Sequence, residues 1–327
     1  VPSTAPLQSP PTAVGTPRLT ALDIALLAAL ALLWGVAYIF IRQGIVLGFS
    51  PLLFASVRYL LSAAGFAALA VARRESFPSR GALLVSGGVG GVFIIGLYGG
   101  FLYWGEQYTT GGYASVLAAT APILTVVIAY SLLPSERFSP LALVGLAIGF
   151  VGTVVLVVPT LLGGPVGTWP GPLFVLGAFL STAIGTVLLR RIGSGRQGLW
   201  QIGTQFAVAG VLLGVAGTVL PIPRAFPLSA GVWYALAGLV ILSSLMGYFV
   251  YFTLHHRVGP VRANIVAYLV PLVGVGIGSG LLGEPLTLWE VGGFLIVIVG
   301  LTLVLREASR RAVVAAGTVG RSDGSPR

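Results

Sequence analysis

Side chains able to do acid, base or metal chemistry are scarce in these 327 residues. There are eight carboxylates (Asp23, Glu75, Glu106, Glu136, Glu284, Glu290, Glu307 and Asp323), two histidines, no cysteine and no lysine, so all 18 basic residues are arginines. Without cysteine there can be no disulfide, iron–sulfur cluster or thiolate zinc site. His255 and His256 are neighbours, and successive side chains on a helix diverge, which makes a poor chelating pair. A serine nucleophile would need histidine or lysine at its own depth, and a metal hydrolase would need clustered ligands. The apolar runs supply neither. The chain reads as one that performs no catalysis and holds no metal or cofactor, with an intramembrane enzyme as the remote alternative.

What remains is chemistry of binding. Arg58 stands alone in an apolar run, where an arginine costs about 2.5–3.5 kcal/mol on insertion scales and so must face protein or a watery cavity. It could grip a carboxylate bidentately, or it could be structural, bonded to backbone carbonyls or to Glu290. Trp34, Tyr38, Tyr98, Tyr248 and Tyr268 could hold flat or cationic solutes by stacking and cation–π contact. Thr120, Ser181 and Asn264 could donate to a carboxylate or accept from an ammonium, or could simply bond helix to helix. Pro122 and Pro271 interrupt the helical ladder and free carbonyls opposite them. Glu136 and Glu284 fall in tight turns, where a carboxylate suits the positive end of a helix.

These residues are carried by very apolar elements. The apolar fraction is 56%, only 8% of residues are charged and mean hydropathy is +1.00, whereas a soluble domain carries roughly 25% charged residues. Such a chain needs a lipid bilayer as solvent. Ten runs approach the roughly 20 residues that span it as a helix: 22–41, 51–72, 81–104, 111–133, 140–158, 171–189, 199–220, 231–252, 261–282 and 286–305. They are too long and too continuous for barrel strands. The net charge of +10 is scattered over short loops rather than gathered on one face, so nucleic acid is not an expected partner. The arginines alternate instead. Fourteen lie in the tails and loops on one side and two, Arg42 and Arg224, on the other, which places both termini in the cytoplasm. Residues 1–21, rich in Pro, Ser and Thr, read as a disordered tail, and 306–327 as a cytoplasmic tail.

The chain also repeats itself. Pro122 and Pro271 are 149 residues apart, Glu136 and Glu284 are 148 apart, and so are Gly145 and Gly293. Trp34 aligns with Ser181 and Arg58 with Gln205, each 147 apart. Residues 22–158 and 171–305 are then two five-span repeats joined by an extracytoplasmic linker, 159–170. Five is odd, so the second repeat enters the membrane inverted, a frequent plan of secondary transporters. The expected fold is all-α, with ten transmembrane helices as two inverted five-helix repeats around a central cavity.

The segments "LLWGVAYIFIRQGI", "SPLLFASVRYLLSAA" and "GPLFVLGAFLSTAIGTVLLRR", with the two "P…LL-x-E…G…G" blocks, resemble EamA-type members of the drug/metabolite transporter superfamily over residues 22–306. The resemblance implies a cavity between the repeats and export of amino acids, aromatic ones among them, or of organic cations. Trp34 matches a branch of aromatic amino-acid exporters, but that branch carries further tryptophans where this chain has Ala121 and Ser181. Branches that move phosphorylated solutes place basic residues in late helices, and here only Arg262 lies near a span end. The expected partners are a small-molecule substrate and the bilayer, with the chain a monomer or homodimer in a prokaryotic inner membrane. No carboxylate or histidine sits mid-span to carry a proton, so solute should move down its own gradient; proton-coupled antiport is the alternative, with Glu106 or Glu290 titrating in a watery outer mouth.

Overall fold

A computed structural model describes residues 20–132, 140–162, 167–192, 198–220, 226–227, 229–258 and 266–303. Glu136 and Asn264 lie outside these residues, and of Tyr268 only the backbone is described.

Among the described residues the chain is helical throughout, and the sole extended pairing is one bridge between Thr109 and Gly167. Seven helices are long and apolar enough to cross a membrane: α1 (Ala21–Val46), α2 (Pro51–Ala72), α3 (Arg80–Gly105), α4 (Gly111–Leu132), α6 (Gly171–Ile192), α7 (Leu199–Val219) and α8 (Ala230–Val258, its apolar part ending at Leu254). Three more, α5 (Pro140–Leu161), α9 (Val266–Leu281) and α10 (Leu288–Leu303), carry shorter apolar stretches. The helices start where the sequence signals it. Thr20 and Asp23 close a capping box on α1, Pro51 opens α2, and Thr110 accepts from the Tyr113 N–H to cap α4, each satisfying an orphan donor or removing one. Two boundaries differ from expectation. Helix α5 runs past 158 into the expected linker, and α8 continues past 252 through His255 and His256 to Val258.

Most of the packing pairs helices of one half with helices of the other, and these cross-half pairs have mates five helices on. Helix α1 packs on α8 and α9, as α6 packs on α3 and α4; α2 meets α8 as α7 meets α3; α2–α7 and α4–α9 are their own mates. So is α5–α10, where a Cβ on Gly152 would fall 2.7 Å from the Val297 nitrogen and one on Gly293 3.0 Å from the Gly152 carbonyl. Those glycines let the backbones approach, as small residues do between membrane helices. Apolar side chains such as Phe150, Val151, Val215 and Leu295 stand exposed on the outer surface, where only a lipid solvent makes their exposure favourable.

The third helix of each half is wound loosely. Ser86–Leu97 in α3 and Gly238–Met246 in α8 are π-helical, a rare geometry concentrated at functional sites. Helix α4 is instead tightened, with a 3₁₀ turn at Ala118–Thr120 directly before Pro122, because the proline has no N–H for the Ala118 carbonyl. Pro271 sits inside α9 without ending it.

Candidate functional site

A cavity of about 1660 Å³ enters the helical body from the end that carries Arg73, Arg190 and the start of α7. It is a wedge between α2 and α8. The two helices touch where Gly65 meets Leu245, then diverge, and α6 and α7 form the back wall. By contrast α3 and α7, the mated pair, touch at successive levels, with Gly87 against Thr204, Gly91 against Val208 and Gly100 against the side-chain end of Leu213. The wedge is thus one of two symmetry-related seams, and it is the open one.

Its blind end is aromatic. The Trp34 ring lies 6.1 Å from Tyr248 and 5.3 Å from Tyr251, and Phe66 packs edge-on to Tyr248. Uncharged polar groups come from Gln205, Thr182 and Thr186, and Gln205 Nε2 donates to Ser86 Oγ at 2.9 Å. Charge is confined to the mouth. There Glu75 accepts from the Leu199 N–H and so caps α7, and the Arg73 guanidinium lies over the Phe249 ring. Surfaces of this kind stack flat apolar groups and orient them with a few hydrogen bonds.

Beyond the blind end the protein is solid. Phe206, Tyr59, Tyr103 and Phe54 continue the rings edge to edge toward the opposite face. Arg58 is set into this column. Its guanidinium donates to Tyr103 Oη and Ser243 Oγ, both at 3.0 Å, and its Nε points to Ser244 Oγ at 3.4 Å. The partners are hydroxyls, neither backbone carbonyls nor Glu290 as the sequence suggested. The fork spans α2, α3 and α8 and ties the two halves together. Gln205 and Arg58, the pair aligned by the repeat, are thereby seated alike, each reaching a serine in the π-helical stretch of the facing helix.

Trp34 and Tyr248 line the cavity, whereas Tyr38 and Tyr98 pair with each other outside it. Thr120 and Ser181 are buried with their hydroxyls bonded to the carbonyls of Leu117 and Phe93, each at 2.7 Å. Glu284 caps a helix, but not the one that follows it. Its carboxylate accepts from Gly111 N at 3.2 Å and Gly112 N at 2.8 Å, at the start of α4 in the other half. Glu290 caps its own helix by accepting from the Thr287 N–H at 2.7 Å. Phe66, Tyr251 and Gln205 were not foreseen. The register of Gln205 with Arg58 was the signal that could have found it.

Two repeated helical halves around a solute-sized cavity, with seven helices among the described residues long and apolar enough to cross a membrane, define an integral membrane protein of the transporter class. The chain belongs to the EamA-like transporter family, whose model matches residues 22–158 and again 169–306. It is 29% identical to an uncharacterized transporter, YvbV, of Bacillus subtilis, over 89% of this chain and 94% of that one. It is 30% identical to an uncharacterized inner membrane transporter, YedA, of Escherichia coli strain K12, over 85% and 89%. A probable amino-acid metabolite efflux pump of Salmonella typhimurium is 25% identical over 82% and 89%. A crystal structure 18% identical overlays with a TM-score of 0.61, covering 89% of this chain and 98% of that one, a likeness of fold.

Proposed function

We propose that this chain is an alternating-access carrier that exports small metabolites with a flat apolar portion, aromatic amino acids foremost. The observation that carries the reading is the cavity: aromatic at its blind end, uncharged at its polar points, open at one face and sealed from the other by the Arg58 fork. Ten spans with both termini inside make the arginine-rich face cytoplasmic, so the wedge is an inward-open state. Exchanging the roles of the two mated seams closes α2 on α8 and opens α3 from α7 at the far face, which is how inverted repeats alternate. Export is the direction suggested by the Salmonella relative's name. Solute moves down its own gradient, since the described cavity holds no free carboxylate at its blind end.

The test is flux in proteoliposomes against a panel of amino acids and organic cations. Aromatic amino acids should exchange fastest, and Trp34→Ala and Tyr248→Ala should each raise the half-saturating concentration. Equal flux of aliphatic and aromatic solutes, or unchanged saturation in both variants, would overturn the substrate assignment.

A further inference from the structure

Glu106 lies just past the end of α3, and the sequence allowed it, as the alternative reading, a watery outer mouth. Its residue is instead 0% exposed, and both carboxylate oxygens are buried without a hydrogen-bond partner among the described residues. An ionised carboxylate in that state forfeits its hydration with nothing in return. The groups around it do not replace water. From α1, Arg42 approaches, but its guanidinium donates to the backbone carbonyls of Glu106 and Gln107, at 2.5 and 3.2 Å. From α2, Arg58 is committed to Tyr103, Ser243 and Ser244. Tyr38 of α1 and Tyr103 of α3 are buried neighbours, and Glu284, in the turn before α10, adds a like charge. Burial pushes the Glu106 carboxyl well above the usual carboxylate range; Arg42 opposes the shift and Glu284 adds to it.

Rotation of the halves tells what this group meets next. On the cytoplasmic side, Tyr248 to Thr253 of α8 line the cavity. The π-helical stretches end at Leu97 and Met246, 149 residues apart. On that register the end of α3 lines the cavity of the other face, and Glu106 lies two residues beyond the mate of Thr253.

We propose that Glu106 is a proton-binding site of the extracytoplasmic gate, occupied while that gate is closed and emptied to the outer solution when it opens. The proposal rests on the alternating-access reading above. The proton passes from outer water to a carboxylate oxygen on closure and returns to outer water on opening. The described cytoplasmic cavity does not reach Glu106, so the proton regulates the carrier without crossing the membrane. Binding to the closed form means that acid favours closure. Between the ionisation of the hydrated carboxyl and that of the buried one, the ratio of outward-open to inward-open protein rises about tenfold per pH unit.

The experiment uses the full chain in lipid nanodiscs, with spin labels on cysteines introduced two at a time into a chain that has none. One pair, Gln107→Cys and Val219→Cys, spans the outer ends of α3 and α7. The other, Ala72→Cys and Thr253→Cys, spans the cytoplasmic wedge. Distance distributions are recorded across pH for the wild-type background, Glu106→Gln and Gly100→Leu. The expected result is outer widening with inner narrowing as pH rises in the wild type, and a closed outer pair at every pH in Glu106→Gln. Identical pH profiles in wild type and Glu106→Gln would overturn the proton site. If Gly100→Leu, which wedges α3 from α7, moves neither pair at any pH, it is the alternating-access reading that falls. Infrared spectroscopy reads the carboxyl directly. A protonated-carboxyl band at neutral pH, absent in Gly100→Leu, supports the site, and no such band in the inward-open protein refutes it.

Discussion

Gly100→Leu tests the exchange of seams most directly. In the closed outer seam a Cβ at Gly100 would lie 3.0 Å from Leu213 Cδ2. That contact with the far end of a flexible side chain is one alanine can relieve by a few tenths of an ångström. Leucine adds three more carbons to the same gap, and overpacking of this kind costs about 1–3 kcal/mol. The cost falls only on the state in which α3 and α7 touch at this level. The gain in helix propensity over glycine, about 1 kcal/mol, applies equally to both states and cancels. At about 1.4 kcal/mol per tenfold, the outward-open to inward-open ratio should rise by roughly 5- to 150-fold, with Gly100→Ala near the wild type. Spin-label distances across the outer ends of α3 and α7 and across the wedge measure it, and the two must move in opposite senses. Outer widening without closure of the wedge would show that the seams are not coupled, and the mated-seam argument would be refuted.

Arg58→Met keeps the stem and removes the fork to Tyr103, Ser243 and Ser244; it should loosen the outer closure, seen as a longer distance between the outer ends of α3 and α7, while Arg58→Lys restores it only in part because an ammonium lacks the planar donor set. Glu284→Ala strips two charge-assisted bonds from the start of α4; with the carboxylate half-exposed, about 1–2 kcal/mol should be lost, read as a lower melting midpoint in detergent. Gly300→Leu should be more damaging still, because a side chain there meets the backbone of Gly145 and Gly149 and backbone cannot give way as a rotamer can; the measure is the folded fraction in size-exclusion chromatography.

The apolar runs made the helices legible, because span length is fixed by the solvent and by the rise of a helix. The repeat was legible because Pro122/Pro271 and Glu136/Glu284 keep registers of 149 and 148, within one residue of each other. Which face a polar residue takes was not. Thr120 and Ser181 have the composition of ligand-binding positions, and both spend their hydroxyls on carbonyls, one beside the proline turn and one on a π-helical stretch. Hydrophobic periodicity reveals neither winding. Tyr98 and Tyr248 are equally aromatic in the sequence, and only the divergence of α2 from α8 decides that Tyr248 meets the cavity. Glu106 misled for the opposite reason. A carboxylate beside a span end is usually wet, and its burial is a tertiary effect, with Arg42 of α1 reaching across to the Glu106 carbonyl.

On the alternating-access mechanism proposed above, the alignment of Arg58 with Gln205 has a kinetic consequence. Perfectly equivalent halves would give an empty carrier equal time on either face and equal saturation from both sides. Here one seam presents an amide to its cavity, and the other, once open, presents a guanidinium, so water solvates the two openings unequally. The resting populations of the empty carrier then differ, and apparent affinity on each face is the intrinsic affinity scaled by the fraction of protein facing that way. Half-saturation will therefore differ between the two sides of the membrane even when the solute gradient is zero. Net flux at equilibrium remains nil, so the asymmetry governs how quickly a gradient is dissipated and not where it ends.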